Sequence, residues 1–172
     1  YTLATGETTR RIYLDSTAST LMMGAAHRAS IEFLKHYANT HSEMHFSAKI
    51  ATKTYDWIHR RILKFVQADP DEFTCYFTGS GTTSGMNRIA RTFNTLRPQR
   101  DIVLVSIMEH HSNDLPHRKH GGKVMHIPVD THESAMGCVD LDLMEQYLQE
   151  FEGRVNYVSV TGISNVTGII NP

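Results

Sequence analysis

Four short apolar runs restrict the fold of this chain more than any other feature of its sequence. The clearest, Ile102–Val105, is continuous rather than alternating, which is typical of a strand covered on both faces. Helical patterns separate most of the runs, and strands that alternate with helices form parallel sheets. We therefore predict an α/β fold in three layers, with a mainly parallel sheet flanked by helices. The predicted strands are residues 73–77, 101–106, 123–128 and 155–160, with a shorter one at 11–15.

Apolar residues at helical spacing predict four helices. The longest spans about residues 48–67, where Ile58 and Ile62 lie on an apolar face and basic residues occupy polar positions. Pro70 follows this helix and cannot continue its hydrogen-bond ladder. The other helices are expected at about residues 24–37, 86–96 and 141–151, and residues 39–47 are expected to form a loop.

Composition excludes several classes of protein. The 172 residues are 40% hydrophobic and 20% charged, which is typical of one globular domain. A net charge of −1 gives no electrostatic basis for binding nucleic acid or an anionic membrane, and no apolar run has the length of a membrane span. Two cysteines cannot form a disulfide framework, so a cytoplasmic protein is expected.

A turn of small residues joins the first of the four strands to the next helix. It contains Gly79, Gly81 and Gly85 among hydroxyl side chains. Glycine lets backbone N–H groups approach a ligand, and the helix N-terminus that follows carries unpaired N–H groups and a partial positive charge. The pattern favours a phosphate-binding corner. Ordinary loop and N-cap chemistry would use the same residues, and that alternative stays open at this point.

Two further polar clusters follow predicted strands. His110 and His111 come after the second strand, and Ser164 and Asn165 come after the fourth. Ligands of open α/β sheets bind at the carboxyl ends of the strands, so we expect both clusters to join the glycine corner around one ligand. Imidazole can stack on a ring and act as an acid or base, and an amide can hold a ring oxygen. The clusters indicate a planar, phosphorylated cofactor.

The histidines also permit a metal-dependent hydrolase as an alternative. The candidate ligands are His110, His111, His117 and His120, with Glu109 or Asp114 to complete the set. Adjacent loop histidines usually point in different directions, and the spacing matches no specific zinc pattern. We therefore predict no metal here and keep the hydrolase as the weaker alternative.

Four motifs in order along the chain resemble those of a known family. They are Tyr13–Thr20 (YLDSTAST), Phe77–Thr83 (FTGSGTT), Glu109–Asn113 (EHHSN) and Ser164–Gly168 (SNVTG). With these motifs the chain resembles the class V aminotransferase-fold enzymes, which depend on pyridoxal phosphate and include the cysteine desulfurases. The resemblance implies a type I pyridoxal-phosphate-dependent transferase fold, a homodimer and an amino-acid substrate, with desulfuration, β-elimination, transamination and epimerisation all possible reactions.

The same resemblance assigns roles to individual residues. Gly81, Thr82 and Thr83 would bind the phosphate of pyridoxal 5'-phosphate through backbone and hydroxyl groups. His110 would stack on the pyridine ring and shuttle a proton, which makes it the expected catalytic residue. Asn165 would approach the ring oxygen.

The chain departs from the family pattern at two positions. Thr40 stands where some members have proline in an Asn-Pro-x-Ser segment. His117 follows Pro116, whereas related desulfurases often have tryptophan after that proline. The second difference points away from a close match to that subgroup.

Two residues that the resemblance requires are missing. The aspartate that pairs with the pyridinium nitrogen and the lysine that forms the Schiff base would lie beyond Pro172, and none of the six lysines has the Ser-x-His-Lys context of the family. The chain also begins at Tyr1. We interpret it as the N-terminal part of a cofactor-binding large domain, with an arm and helix in residues 1–45 and an α/β cofactor region in 46–172. Alone it is expected to be inactive, and a non-catalytic truncated domain is the second alternative.

Overall fold

The computed structural model describes residues 1–16, 18–132 and 136–172. Thr17, in the first of the four motifs, lies outside the described residues. Contacts divide the chain into two compact units, which we call unit 1 (Tyr1–Phe77) and unit 2 (Thr78–Pro172).

The division lies further along the chain than the expected one after residue 45. In unit 1 the hydroxyl of Thr52 donates to the carbonyl oxygens of Thr40 (2.9 Å) and Ser42 (3.3 Å). These bonds tie the second helix to the loop before it. Loop and helix therefore belong to the same unit.

Unit 1 contains two helices, α1 (Gly24–Leu34) and α2 (Phe46–Phe65), at the positions that the apolar spacing predicts. Helix α1 ends earlier than the expected residue 37. The Nδ1 atom of His45 accepts a hydrogen bond from the N–H of Ala48 (3.3 Å) and so caps the start of α2. Helix α1 has no buried residue, and α2 buries only two alanines, so packing in this unit is sparse.

Two predictions for unit 1 are wrong, because neither residues 11–15 nor residues 73–77 form a strand. The hydroxyl of Tyr13 donates instead to the backbone oxygens of Asp15 and Ser19, which bends the first segment. A strand is stabilised by its ladder to a neighbouring strand and by cross-strand side-chain pairs. Apolar, β-prone residues without such a neighbour do not make one.

Unit 2 is built on a parallel sheet of three strands. They are β1 (Ile102–Ser106), β2 (Lys123–Ile127) and β5 (Val155–Ser159), in the order β2-β1-β5. In the centre of the sheet, Leu104 pairs with Met125 on one side and with Val158 on the other. A separate antiparallel pair consists of β3 (Val129–Asp130) and β4 (Cys138–Val139).

Alternate residues of β1 face different helices. Ile102 and Leu104 are fully buried and pack with Ile127 in a core to which α5 (Leu141–Glu150) contributes Met144 and Tyr147. This packing covers one face of the sheet with α5.

The opposite face of the sheet lies against α3 (Gly81–Leu96) and α4 (His111–His120). Tyr157 of β5 contacts Phe93 of α3 and His117 of α4, with ring centroids 5.2 Å and 5.3 Å apart. Unit 2 therefore has helices on both faces of a parallel sheet, which confirms the predicted α/β class.

Helix α4 is absent from the sequence prediction, which treated the histidine segment as a loop. Its sequence contains Pro116 and almost no apolar periodicity. The helix forms because His110 caps its start, Asp114 lies in its first turn and basic residues occupy its last turn, an arrangement that suits the helix dipole. Packing against α3 and against β2 of the sheet stabilises the helix further.

His117 attaches α4 to the sheet. Its ring is fully buried, with Nδ1 2.9 Å from the Tyr157 hydroxyl and Nε2 3.2 Å from Asn113 Oδ1. Burial lowers the pKa of His117 by more than the negative charges of Asp114 and Glu109 raise it. Burial also raises the pKa of Tyr157 to about 12. The anchor is therefore a neutral pair at physiological pH.

A first prediction concerns the turn between α4 and β2. Gly122 has φ +87°, and a Cβ there would lie 2.6 Å from the carbonyl oxygen of Asp101; Gly153 has φ +76° with open space around it. We expect Gly153→Ala to cost about 1 kcal/mol for the left-handed backbone, and Gly122→Ala about 2–4 kcal/mol because the clash adds to that cost. Urea denaturation followed by the amide signals of β1 measures both. Equal losses would show that the contact with Asp101 is unimportant.

A second prediction follows from the lowered pKa of His117. The unfolded chain binds a proton near the ordinary value of 6.5, and the folded chain does so only at lower pH. Stability should therefore fall as pH drops below 6.5, by up to about 1.4 kcal/mol per pH unit for one proton. His117→Gln should remove this component of the slope between pH 7.5 and 5. His132→Gln, at a side chain that is 95% exposed, is the control and should keep it.

Candidate functional site

The glycine corner forms the N-terminus of α3. The helix begins at Gly81, earlier than the expected residue 86, and Gly79 and Gly81 both have positive φ. Apart from its own neighbours in the chain and the helix backbone, no described residue has an atom within 4 Å of where a Cβ would stand at either glycine, so the backbone there is open. Gly81, Thr82 and Thr83 make up the exposed first turn.

The first turn of α3 lacks the side-chain cap that the other helices of unit 2 have. His110 accepts from the N–H of Ser112 at the start of α4, and Asp140 accepts from the N–H of Leu143 at the start of α5. The side chain of Ser80, in the equivalent position of α3, makes no such bond. The N–H of Gly81 donates to the carbonyl oxygen of Gly79 (2.6 Å), whereas the next N–H groups, those of Thr82 and Thr83, have no side-chain cap and face the position that an anion takes at a helix N-terminus.

A cleft of about 350 Å³ joins the start of α3 to α4. This volume lies within the range of small-molecule sites, about 300–1,000 Å³. The lining residues are Thr83, Asn87, His110, His111, Ser112, Leu115, Pro116 and Lys119. The cleft therefore brings together two of the predicted site residues, Thr83 and His110.

The ring of His110 is held in one tautomer by its role as a cap. Its Nδ1 accepts the backbone N–H of Ser112 at 3.0 Å, and the Ser112 hydroxyl lies 2.8 Å from the same atom. A backbone N–H only donates, so Nδ1 carries no proton in this arrangement. In the neutral ring the proton is therefore on Nε2.

Glu109, the residue before His110, is the centre of a half-buried polar network. One carboxylate oxygen accepts from the hydroxyl of Ser106 (2.6 Å) and from the backbone N–H of Thr161. The other accepts from the side-chain amide of Asn113 (2.6 Å). These bonds join the end of β1, the start of α4 and the segment after β5.

A buried carboxylate, Asp114, lies next to Asn113 on α4. Asp114 pairs with Arg118 (2.6 Å) and with His126 of β2 (2.9 Å). Burial alone would raise the pKa of Asp114, but hydrogen bonds from Arg118 and His126, with their charges, hold it below its ordinary value. The pair of Asp114 with His126 attaches α4 to β2, an edge strand of the three-stranded sheet.

Asn165 occupies a turn after β5 and is exposed. It is not among the lining residues of the cleft. Hydrogen bonds hold the turn: Ser164 Oγ accepts from the N–H groups of Val166 and Thr167, and the side-chain amide of Asn171 donates to the carbonyl of Thr161. The assignment of Asn165 to a ring oxygen stays a prediction.

Sequence reasoning missed several residues around this cleft. Lys119 appeared only as a lysine outside the family context, and Asn113 only as the end of a motif. The sequence offers Glu109 only as the start of a motif and a metal ligand, and His117 only as a metal ligand and a departure from the family pattern. The available signal was the run of polar residues directly after a buried strand, since buried polar side chains need partners.

The alternative of a metal site gains no support from the geometry. Among the described ranges 1–16, 18–132 and 136–172, no group of three or more His, Cys, Asp or Glu side chains is arranged to hold a metal ion. His117 uses both ring nitrogens on Tyr157 and Asn113. In the same ranges, no helix has the length and apolar character needed to cross a membrane.

Comparison with known proteins gives one consistent result. The sequence model of the family described as Aminotransferase class-V matches residues 12–172. A cysteine desulfurase of Cronobacter sakazakii is 30% identical over 93% of this chain and 39% of its own length. A probable cysteine desulfurase of Aeropyrum pernix is 34% identical over 94% of this chain and 38% of its own length.

Solved structures also match this chain. The apo structure of a cysteine desulfurase from Thermococcus onnurineus has a TM-score of 0.75 at 28% identity and covers 93% of this chain and 38% of its own. A NifS-like protein has a TM-score of 0.79 at 24% identity, over 95% of this chain and 43% of its own, and supports the fold. The chain spans about two fifths of the length of the curated relatives that it matches. The family match over residues 12–172 shows that this chain belongs to the aminotransferase class-V family.

Proposed function

We propose that this chain binds pyridoxal 5'-phosphate, with the phosphate at the first turn of α3 and the pyridine ring beside His110. The observation that carries the proposal is the cleft lined by both Thr83 and His110. The complete enzyme would act on an amino acid. Two of the proteins named above, from Cronobacter sakazakii and Thermococcus onnurineus, are described as cysteine desulfurases, so removal of sulfur from cysteine is the first reaction to test.

The first turn of α3 fits a phosphate group. Its N–H groups have no side-chain cap, and the helix dipole favours a negative charge there. The hydroxyls of Thr82 and Thr83 add two donors, and the open backbone at Gly81 leaves room for the oxygens. Lys119, in the same cleft, adds a positive charge.

His110 fits the planar part of the cofactor. Its imidazole can stack on the pyridine ring, and the bond from Ser112 to Nδ1 restrains the orientation of the imidazole. Nε2 is then the atom at which His110 holds and donates a proton. When bound, pyridoxal phosphate supplies an electron sink for charge at the substrate Cα.

We expect the 172-residue chain alone to bind the cofactor without turning over a substrate. None of its six lysines stands in the Ser-x-His-Lys context that the resemblance requires. A homodimer and a cytoplasmic location, implied by the resemblance and by the two-cysteine composition, belong to the same proposal. Asn165 would reach the ring oxygen in the complete enzyme.

The phosphate assignment is tested by replacing Thr82 and Thr83 together with alanine. Loss of two donors to a charged group should weaken pyridoxal 5'-phosphate binding about 10–100-fold in an absorbance titration. Thr95→Ala is the matched control, since that hydroxyl donates to Arg91 in the last turn of α3. Pyridoxal, which lacks the phosphate, should bind the parent chain and the double variant equally. If the double variant weakened the binding of pyridoxal and of pyridoxal 5'-phosphate equally, Thr82 and Thr83 would not bind the phosphate.

The ring assignment is tested by comparing His110→Phe with His110→Ala. Both variants lose the bond from Ser112, so the lost cap cancels in the comparison. Phenylalanine keeps an aromatic plane, and its cofactor affinity should exceed that of the alanine variant by about tenfold. Fluorescence titration with pyridoxal 5'-phosphate measures both constants. Equal affinities would contradict stacking at His110.

A further inference from the structure

We propose that Glu109 is a positioning residue for His110 and that it acts through a hydrogen-bond chain of fixed direction that ends on its carboxylate. The role at the cofactor rests on the proposed function. The direction of the chain follows from the geometry of unit 2 alone.

The direction is fixed at Glu109, because each described hydrogen-bond partner of its carboxylate is a donor. Ser106 donates a hydroxyl hydrogen, Thr161 donates a backbone N–H and Asn113 donates from its amide nitrogen. An ionised carboxylate satisfies all three, since it only accepts. The Asn113 amide is therefore oriented with Nδ2 toward Glu109.

The orientation of Asn113 fixes the tautomer of His117. With Nδ2 on Glu109, the Oδ1 of Asn113 faces Nε2 of His117 (3.2 Å) and the hydroxyl of Ser159 (3.1 Å) and accepts from both. Nε2 of His117 must then carry the proton. Nδ1 is left to accept from the hydroxyl of Tyr157 at 2.9 Å. The chain runs from Tyr157 through His117 and Asn113 to Glu109.

The hydrogen-bond chain acts on His110 by two short routes. Glu109 precedes His110 in sequence, and its carboxylate holds the connection between β1 and α4 against Ser106 and Thr161. Asn113 lies in the first turn of α4, where its own backbone N–H donates to the carbonyl of His110 at 2.8 Å. Both ends of the His110 peptide segment are therefore restrained by the same carboxylate.

Glutamine at position 109 has the same shape but cannot accept from all three donors. Because the backbone N–H of Thr161 can only donate, the amide oxygen would face Thr161 and Ser106, and the amide nitrogen would present N–H groups to Asn113. Asn113 can relieve the conflict only by turning its amide, and this turn would present N–H groups to Nε2 of His117. His117 would then have to move its proton to Nδ1.

The test is ¹⁵N NMR of the imidazole rings in the full chain, with three variants. In the parent chain both His110 and His117 should show protonated Nε2 and unprotonated Nδ1. In Glu109→Gln, His117 should switch to the Nδ1–H form, and the Ser112 and Thr161 amides should exchange about tenfold faster. Ser106→Ala keeps the carboxylate charge and should speed exchange at Thr161 while His117 stays in the parent form. Glu150→Gln, the same change on the exposed face of α5, is the control and should alter nothing.

A parallel titration with pyridoxal 5'-phosphate separates this proposal from the proposed function. About tenfold weaker binding in Glu109→Gln, with the NMR changes, supports both. If the parent chain does not bind the cofactor, the proposed function fails, and the NMR comparison still decides the direction of the chain. Parent-like signals of His110, His117 and Ser112 in folded Glu109→Gln would overturn the positioning role. If Glu109→Gln does not fold, the Ser106→Ala variant tests the positioning role instead. Unchanged amide exchange at Thr161 in that variant would overturn the role.

Discussion

The burial of β1 is the constraint on which the rest of unit 2 depends. All five of its residues are buried, and the strand has a parallel neighbour on each edge. Helix α5 covers one face of the sheet, and α3 and α4 cover the other. A strand in this position has no side toward solvent, so its residues form a continuous apolar run. The chain leaves β1 from a fixed point, and the residues that follow directly form the site.

The polar network after β1 follows from that burial. Ser106 ends the strand inside the protein, and a buried hydroxyl needs a partner, which Glu109 provides. The carboxylate in turn needs donors, and it finds them on α4 and on the segment after β5. The requirement to satisfy buried polar groups therefore brings together three separate parts of the chain. It also places His110 at the start of α4, beside the first turn of α3.

The success of the sequence predictions depended on where the stabilising partners lie. The strands near residues 102–106, 123–127 and 155–159 could be predicted, because their apolar runs reflect burial directly. The segment at 73–77 has a similar composition, but it finds no neighbouring strand among the described residues. Helix α4 was not predicted, because its buried face includes polar residues such as Asp114 and His117 and so shows no apolar pattern. Their burial depends on His126 and Tyr157, which lie on other elements.

The sequence by itself determined the α/β class, the four motifs of the aminotransferase class-V family and the residue types available for a phosphate and a ring. The class and the residue types are local features that spacing and residue chemistry indicate, and the family is indicated by the resemblance of the four motifs. Only the tertiary structure decided that Thr83 and His110 line one cleft, that Asn165 lies outside its lining, and that Glu109 is the centre of a network. The partners of that network, Ser106, Thr161 and Asn113, come from different elements. Such contacts depend on how the sheet brings its strand ends together, and no short stretch of sequence records that geometry.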